Sequence, residues 1–262
     1  MGVYGVVGHP VKEPYSAAMF EAAFYEYNME DEWESFDIKP GDLRSFLKEV
    51  KEKGAGGLIV APPFKESIVP MLNSLDVNSK AIGAVNAIVN VSGKWKGVNT
   101  EWQGAVKALD DAGSLEGKNV VIIGAGCTAA AISYGCKKEG ANVIILNRGL
   151  DKAAETARKF NVDAGRLEDI MKFRAHVLIN TMAASGPDQS LVPKEFYKKS
   201  MVVMDIHKGA EESQLEKEAR RAECRIVPAY KMALFQAEGQ FEAWFKKKPR
   251  TDKMEEALLG VL

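Results

Sequence analysis

The sequence has little of what several classes of protein require. Its three cysteines and three histidines are too few and too scattered for a disulfide framework or a zinc site. The 35 basic residues balance 36 acidic ones, whereas general binding of nucleic acid needs a basic excess. No uninterrupted apolar run reaches the length of a membrane span. We therefore expect no metal, no nucleic-acid partner and no membrane partner.

The beginning of the sequence also lacks the marks of a secretory signal peptide. It has no basic segment followed by a long apolar stretch, and residues 3–8 have the pattern of a strand. Few cysteines and no signal peptide predict a protein of the reducing cytoplasm. What is present is a globular composition, with 46% hydrophobic and 27% charged residues, which is enough apolar surface for a packed core.

Short apolar runs alternate with stretches of helical periodicity along the chain. Residues 43–50 place four apolar side chains at the spacing of an amphipathic helix, and residues 56–61 are typical of a buried strand. Such alternation predicts βαβ units and parallel sheets. The segment 83–99 departs from it and predicts two short strands around a turn at Ser92 and Gly93.

Two α/β domains are predicted from this organisation. The first comprises residues 1–101 and 236–262, and the second comprises residues 102–235. A further helix is expected around residues 68–72, and Thr100 is the expected cap of the helix that begins the second domain.

A glycine-rich turn lies near the start of the second domain. Gly124, Gly126 and Ala129 follow a predicted strand and open a predicted helix. The first glycine permits a tight turn, the second lets the backbone approach a pyrophosphate, and the small third residue lets helix and strand pack closely. The helix N-terminus then offers N–H groups to phosphates. These features predict a dinucleotide site, and the alternative is a glycine-rich turn that binds no ligand.

The end of the next predicted strand indicates which dinucleotide is bound. An NAD site usually has a carboxylate there for the ribose hydroxyl, but this chain has Asn147 and Arg148. A guanidinium suits a 2′-phosphate, and Lys152 is near enough in sequence to assist. We therefore predict NADP as the cofactor, and the alternative is a solvated arginine at a strand end.

Several motifs together resemble the shikimate dehydrogenase family over essentially the whole chain. They are G-H-P at 8–10, P-F-K at 63–65, A-I-G-A-V-N at 81–86, V-N-T-E at 98–101, G-A-G-x-x-A at 124–129, N-R at 147–148, N-T at 180–181, D-I at 205–206 and Q-A-E-G-Q-F at 236–241. The resemblance implies an α/β fold of two domains. The N-terminal one is a parallel-sheet substrate domain to which the C-terminal helices return, and the other is an NADP-binding Rossmann domain. It also implies a substrate site in the cleft between them and the reversible NADPH-dependent reduction of 3-dehydroshikimate to shikimate.

The resemblance further implies residues of the site. Lys65 takes the position of the family's catalytic lysine, and ketone reduction needs a proton donor to the developing alkoxide. Glu101 takes the position of the aspartate that partners this lysine, and the helix N-terminus there stabilises a carboxylate. Asn86 and Gln236 are implied as amide contacts of the substrate. The expected cofactor contacts are Gly124, Ala125, Gly126, Cys127, Thr128, Ala129, Asn147, Arg148, Lys152, Asn180 and Thr181.

Departures from the family pattern concentrate where the family holds its substrate. Only Ser16 remains of a serine pair, and several other polar positions are apolar here. Tyr15 and Lys208 are candidates to replace the lost contacts, Lys208 through a charge-assisted bond to a substrate carboxylate. The differing positions are Pro14, Ile59, Ala61, Ala87, Trp102, Lys208 and Lys231.

Three functions therefore remain open at the level of sequence. The first is a shikimate dehydrogenase acting on a small acidic substrate. The second is a related enzyme that reduces another cyclic or branched keto or hydroxy acid, such as a quinate-like one. The third is a nucleotide-binding protein with little catalysis. Lys65 and Glu101 favour an enzyme, whereas the lost polar contacts favour the second or third function. We expect a monomer or a homodimer.

Overall fold

Two compact units make up the chain. The computed structural model describes residues 2–11, 15–182, 190–206 and 212–262. One unit, called the first unit below, comprises residues 1–101 and 234–262, and the second unit comprises residues 102–233. The second junction lies at 233/234, whereas the sequence prediction placed it at 235/236.

Strands and helices alternate through the described residues. In chain order the strands are β1 (Val3–Gly8), β2 (Glu32–Asp37), β3 (Ala55–Val60), β4 (Ser74–Leu75), β5 (Ala87–Val91), β6 (Lys94–Val98), β7 (Asn119–Ile123), β8 (Asn142–Asn147), β9 (Asp163–Arg166), β10 (Val177–Asn180), β11 (Val202–Asp205) and β12 (Arg225–Val227). The helices are α1 (Tyr15–Glu26), α2 (Leu43–Glu52), α3 (Phe64–Ser67), α4 (Val77–Ile82), α5 (Glu101–Asp110), α6 (Cys127–Lys138), α7 (Leu150–Phe160), α8 (Gln214–Arg221), α9 (Ala229–Phe245) and α10 (Thr251–Leu259).

The first unit is built on a six-stranded sheet in the order β2-β1-β3-β5-β6-β4. The strands of the pairs β1–β2, β1–β3 and β4–β6 are parallel, and β5 is antiparallel to both of its neighbours. The predicted turn between β5 and β6 is present. Ser92 and Gly93 have φ angles of 51° and 78°, and positive φ at both central residues matches the twist of a two-residue hairpin.

The α-helix predicted around residues 68–72 is not formed. The single turn α3 ends at Ser67, and a 3₁₀ turn follows at Val69–Met71. Pro70 lacks a backbone N–H, and its ring cannot fit the interior of an α-helix. Lys65 therefore lies in a one-turn helix shortly after the carboxyl end of β3.

The C-terminal helices complete the core of the first unit. Trp244 of α9 is buried, and its indole N–H donates to the carbonyl of Ile88 at 3.0 Å. A Cβ on Gly57 would lie 2.3 Å from the Trp244 Nε1 atom, so β3 needs a glycine beneath this ring. The Phe20 ring packs on the same indole at 4.8 Å. The last helix of the chain, α10, packs against α1.

The second unit has a six-stranded parallel sheet in the order β12-β11-β10-β7-β8-β9. Its strand order reverses between β7 and β10, where a doubly wound sheet binds its ligand at the carboxyl ends of the strands. The predicted α/β fold with a Rossmann-type second half is therefore confirmed. In the described part of the chain, no helix combines the length and the apolar character needed to span a bilayer.

Candidate active site

An ion pair between Lys65 and Glu101 lies in the first unit. Lys65 Nζ is 2.8 Å from Glu101 Oε1, and the two side chains are 14% and 3% exposed. Lys65 follows β3, and Glu101 is the first residue of α5, which follows β6. Because β3 and β6 run in the same direction, both residues lie at the same edge of the sheet. The structure thus brings together the two residues expected to be catalytic.

Asn99 holds the backbone of Glu101 in place. Its Oδ1 atom accepts the Glu101 N–H at 3.0 Å, and its Nδ2 atom donates to the carbonyl of Ala84 at 3.0 Å. The N–H of the adjacent Val85 donates to the carbonyl of Lys65 at 2.8 Å. Residues 84 and 85 therefore hold the backbones of both members of the pair, that of Lys65 directly and that of Glu101 through Asn99. In the sequence Asn99 appears only as part of the V-N-T-E motif, with no role of its own, although an asparagine two residues before a helical carboxylate is a recognisable N-terminal signal.

Asn86, Thr100 and Gln236 form a second network in the first unit. Asn86 is 2% exposed, and its Oδ1 atom accepts the Thr100 N–H at 2.7 Å. Its Nδ2 atom donates to Thr100 Oγ1 at 3.0 Å and to Gln236 Oε1 at 3.4 Å. Thr100 Oγ1 in turn lies 3.1 Å from the carbonyl of Gln236, to which it donates.

This network changes one expectation and bears on another. Thr100 was expected to cap α5, but its hydroxyl bonds to α9 instead, while Asn99 accepts the first helical N–H. Asn86 was expected to offer its amide to a substrate; here its amide donates to Thr100 Oγ1 and to Gln236 Oε1, and the substrate contact stays a prediction. Gln236 is only half-buried. Of the two predicted amide contacts, Gln236 is therefore the one with a side chain partly accessible to a ligand.

Two further predicted substrate contacts lie at the start of α1. Tyr15 is the first residue of this helix and is half-buried, and Ser16 is 3% exposed. Lys208, and with it Pro14, lies outside the described residues.

Three of the residues that depart from the family pattern have buried side chains that pack against neighbouring residues. Ile59 of β3 lies directly opposite Ala87 of β5, so these two apolar residues form one buried cross-strand pair. The Trp102 ring packs edge-on against Tyr134 at 5.6 Å, with Lys138 Nζ 4.5 Å above its centre. These contacts place the large ring of Trp102 in the core of the second unit.

The glycine-rich turn of the second unit has the geometry its sequence predicted. Gly124 has a φ angle of +107°, and a Cβ there would lie 2.3 Å from Thr181 Oγ1. Thr181 Oγ1 itself donates to the carbonyl of Ile123 at 2.8 Å. Ala129 is fully buried where α6 meets the sheet. The turn therefore requires glycine at its first position and a small residue at its third.

The residues of the turn fit a dinucleotide phosphate. Gly126 is the N-cap of α6, and a Cβ at this position would meet no described atom within 4 Å. Gly126 has no side chain to cap the helix, and the positive end of the helix dipole lies there. Cys127 and Thr128 lie in the first turn of α6, and Ala125 is buried against β8 and α7. An anion can therefore approach the backbone at this point.

The residues expected to select the cofactor lie at the carboxyl end of β8 and just after it. Asn147 Nδ2 donates to the carbonyl of Gly149 at 3.1 Å, which shapes the loop after the strand. Arg148 and Lys152 have exposed side chains, Arg148 in this loop and Lys152 in the first turn of α7. Thr156 Oγ1 donates to the carbonyl of Ala125 at 3.2 Å, so α7 is tied to the glycine-rich turn.

Asn180 lies at the end of β10, and its side chain forms hydrogen bonds with neighbouring residues of the second unit. Its Nδ2 atom donates to Asp205 Oδ1 at 2.7 Å and to the carbonyl of Met182 at 3.1 Å, and its Oδ1 atom accepts the Met182 N–H at 3.0 Å. Ser213 Oγ donates to the other carboxylate oxygen of Asp205 at 2.6 Å. Asn180 therefore shapes the loop that carries Thr181, whose hydroxyl lies against Gly124.

Lys231, one of the positions that differ from the family pattern, pairs with an acidic side chain of the second unit. Its ammonium forms an ion pair with Asp111, which follows α5, and the hydrogen bond from Lys231 lowers the pKa of the Asp111 carboxyl. Arg225 also donates to the backbone carbonyl of Asp111. The sequence could not show this pairing, because the partners are far apart along the chain. Within the described residues, no three His, Cys, Asp or Glu side chains are grouped so that they could hold a metal ion.

A Rossmann sheet with a dinucleotide turn, in one chain with a buried lysine–carboxylate pair, defines a dinucleotide-dependent oxidoreductase. Comparison with known families agrees with this class. Residues 6–88 match the model of the shikimate dehydrogenase substrate binding domain, and residues 106–207 match the model of shikimate / quinate 5-dehydrogenase. The chain belongs to the shikimate dehydrogenase family.

Individual relatives cover nearly the full chain. It is 34% identical to the shikimate dehydrogenase (NADP(+)) of Pyrococcus abyssi, over 97% of this chain and 96% of that protein. A crystal structure of a shikimate dehydrogenase in complex with NADP+ is 31% identical with a TM-score of 0.93, and covers 100% of this chain and 96% of that one. The Thermus thermophilus enzyme in complex with NADP(H) and shikimate is 28% identical with a TM-score of 0.92, and all of both chains is covered.

Proposed function

We propose that this chain catalyses the reversible, NADPH-dependent reduction of 3-dehydroshikimate to shikimate. The observation that carries the proposal is the 2.8 Å ion pair between Lys65 and Glu101, since reduction of a ketone needs a positioned proton donor. The printed names of the relatives support the substrate and the cofactor, because they specify shikimate dehydrogenase and NADP.

Lys65 acts as the general acid in this proposal. Bound NADPH supplies a hydride to the carbonyl carbon of the substrate. Lys65 Nζ gives a proton to the carbonyl oxygen as negative charge develops there, and it takes the proton back in the reverse direction. Glu101 orients the ammonium, and Asn99 fixes the helix terminus from which Glu101 projects. The burial of the pair keeps water from competing for these contacts.

The two units have separate tasks in the proposal. The first unit contributes Gln236, Asn86, Ser16 and Tyr15 as contacts of the acidic substrate, and Asn86 also positions Thr100 and Gln236. Lys208, which lies outside the described residues, remains a predicted contact of the substrate carboxylate. The second unit binds NADP through the turn from Gly124 to Ala129. Arg148 and Lys152 bind the 2′-phosphate, while Asn147, Asn180 and Thr181 shape the loops around the cofactor.

Turnover with a panel of hydroxy acids tests the proposed reaction. The protein is incubated with NADP⁺ and with shikimate, quinate or an acyclic hydroxy acid, and formation of NADPH is followed by its absorbance. We expect shikimate to give the highest kcat/KM. A higher kcat/KM with quinate would indicate a related enzyme of different specificity. Saturable binding of NADP⁺ with no turnover of any acid would indicate a nucleotide-binding protein.

Replacing Arg148 with alanine tests the choice of cofactor. We expect kcat/KM for NADPH to fall about 10- to 100-fold, because a charge-assisted contact to the 2′-phosphate is lost. The value for NADH, which has no such phosphate, stays within about twofold on the same reasoning. Arg158→Ala is the control, since it removes the same charge from an exposed position in the last turn of α7. An Arg148 variant that keeps the parent's preference for NADPH contradicts the assignment.

A further inference from the structure

Arg166 is the last residue of β9, and none of the motifs found in the sequence includes it. β9 pairs in parallel with β8, and Arg166 lies directly opposite Asn147. The carboxyl ends of parallel strands meet at one edge of the sheet, and neighbouring strands are about 4.8 Å apart. Arg166 therefore begins one strand spacing from Asn147, beside the loop that carries Arg148.

The alternation of side chains along β9 gives the face to which Arg166 belongs. Ala164 packs with Ala125, Ile145, Ala153 and Ala157, a cluster that joins the glycine-rich turn to α7. Successive residues of a strand point to opposite faces, so Arg166 lies on the same face as Ala164. Gly165 faces the other side, where its Cβ would lie 2.9 Å from Leu146 Cδ2.

The guanidinium of Arg166 is available to a ligand. Its side chain is 51% exposed, and its Nε atom lies 4.0 Å from Oε1 of Glu168, which is 76% exposed. An exposed ion pair at this distance contributes little free energy, because water screens both charges. A phosphate group can therefore displace the carboxylate without the loss of a strong interaction.

We propose that Arg166 is a second cationic ligand of the NADP 2′-phosphate and that, together with Arg148, it determines the preference of this protein for NADP over NAD. A phosphomonoester carries nearly two negative charges and accepts several charge-assisted hydrogen bonds. A second guanidinium from the neighbouring strand forms an ion pair with that charge, whereas the ribose hydroxyl of NAD is neutral and gains little from a cation. This inference rests on the proposed function of the second unit.

The experiment measures binding of the cofactor to Arg166→Gln in the whole protein. NADPH and NADH are titrated separately, and the dissociation constant is taken from the fluorescence of the reduced nicotinamide. We expect the Kd for NADPH to rise about tenfold and the Kd for NADH to stay within about twofold, because only NADPH has the 2′-phosphate. The fragment 2′,5′-ADP is expected to show the same loss as NADPH, and 5′-AMP is expected to show none.

Two reference variants make the outcome decisive. Arg158→Gln removes an exposed arginine from the last turn of α7 and is expected to leave both dissociation constants unchanged. Equal weakening of NADPH and NADH by Arg166→Gln would indicate that Arg166 stacks on the adenine, and it would overturn the inference. No weakening of either, while Arg148→Ala abolishes the preference for NADPH, would overturn the inference and leave the proposed function standing. A parent protein that binds NADH as tightly as NADPH would overturn both.

Discussion

Replacing Lys65 with methionine is expected to lower kcat for the reduction of 3-dehydroshikimate by about 10³-fold. The variant lacks a proton donor at the developing alkoxide, and positioned acid–base groups typically contribute about 10²- to 10⁴-fold to a rate. The KM for NADPH is expected to stay unchanged, because Lys65 belongs to the first unit and the dinucleotide turn belongs to the second. Steady-state kinetics with saturating NADPH measure both quantities.

Stability provides the necessary control for this prediction. Lys65→Met leaves the 3%-exposed carboxylate of Glu101 without its cation, and breaking a buried pair in this way costs about 3 kcal/mol or more. Lys65→Arg keeps a positive charge beside Glu101, but a guanidinium stays protonated and does not transfer its proton. We expect the arginine variant to unfold in urea near the parent's midpoint and to be as inactive as the methionine variant. Retention of kcat within tenfold by both would refute the role of Lys65.

Gly124→Ala is expected to damage both the second unit and its cofactor site. Alanine is strained at a φ of +107°, and its Cβ would lie 2.3 Å from Thr181 Oγ1, so the backbone or the Thr181 side chain must move. A residue forced into such a conformation costs on the order of 1–3 kcal/mol. The movement also displaces the phosphate-binding backbone, so we expect the Kd for NADPH to rise by about 100-fold or more, in line with the cost of small misplacements. Urea denaturation and fluorescence titration measure the two effects.

Gly126→Ala separates cofactor binding from folding. Gly126 has a φ of −87°, which alanine adopts readily, and its new Cβ would meet no described atom within 4 Å. We therefore expect a free energy of unfolding within about 0.5 kcal/mol of the parent. The methyl group nevertheless occupies the space through which a pyrophosphate approaches the backbone, so the affinity for NADPH falls. If Gly126→Ala bound NADPH as the parent does, the turn would not be the phosphate site.

Glu101 stands where the family has an aspartate, and its longer side chain still reaches Lys65. An extra methylene can misplace a catalytic carboxylate, yet Glu101 Oε1 lies 2.8 Å from Lys65 Nζ. The neighbouring Trp102 does not compete for that space, because its ring contacts Tyr134 and Lys138 of α6. Ile59 and Ala87 also count as one change rather than two, since they face each other across β3 and β5. The departures therefore weigh less against the family's reaction than their number in the sequence indicates.

Three strands with little apolar pattern of their own share a position in the fold. β2 and β4 are the two edges of the first sheet, and β9 is an edge of the second. A strand at an edge has one neighbour and buries less of its surface, so its sequence carries fewer apolar residues. The polar run EWESFD of β2 and the two-residue β4 show this directly. Their pairing depends on the neighbouring strand more than on their own pattern.

The sequence by itself determined the features that depend on neighbouring residues. The glycine-rich turn, the hairpin at Ser92 and Gly93 and the amphipathic α2 each follow from local sterics or periodicity, and the structure has all three. Only the tertiary structure decided which distant polar groups meet. It set the 2.8 Å distance between Lys65 and the Glu101 that the family resemblance had paired with it, committed Asn86 to Thr100 and placed Arg166 beside Asn147. The physical reason is that strand order and register set these distances, and no spacing along the chain encodes them.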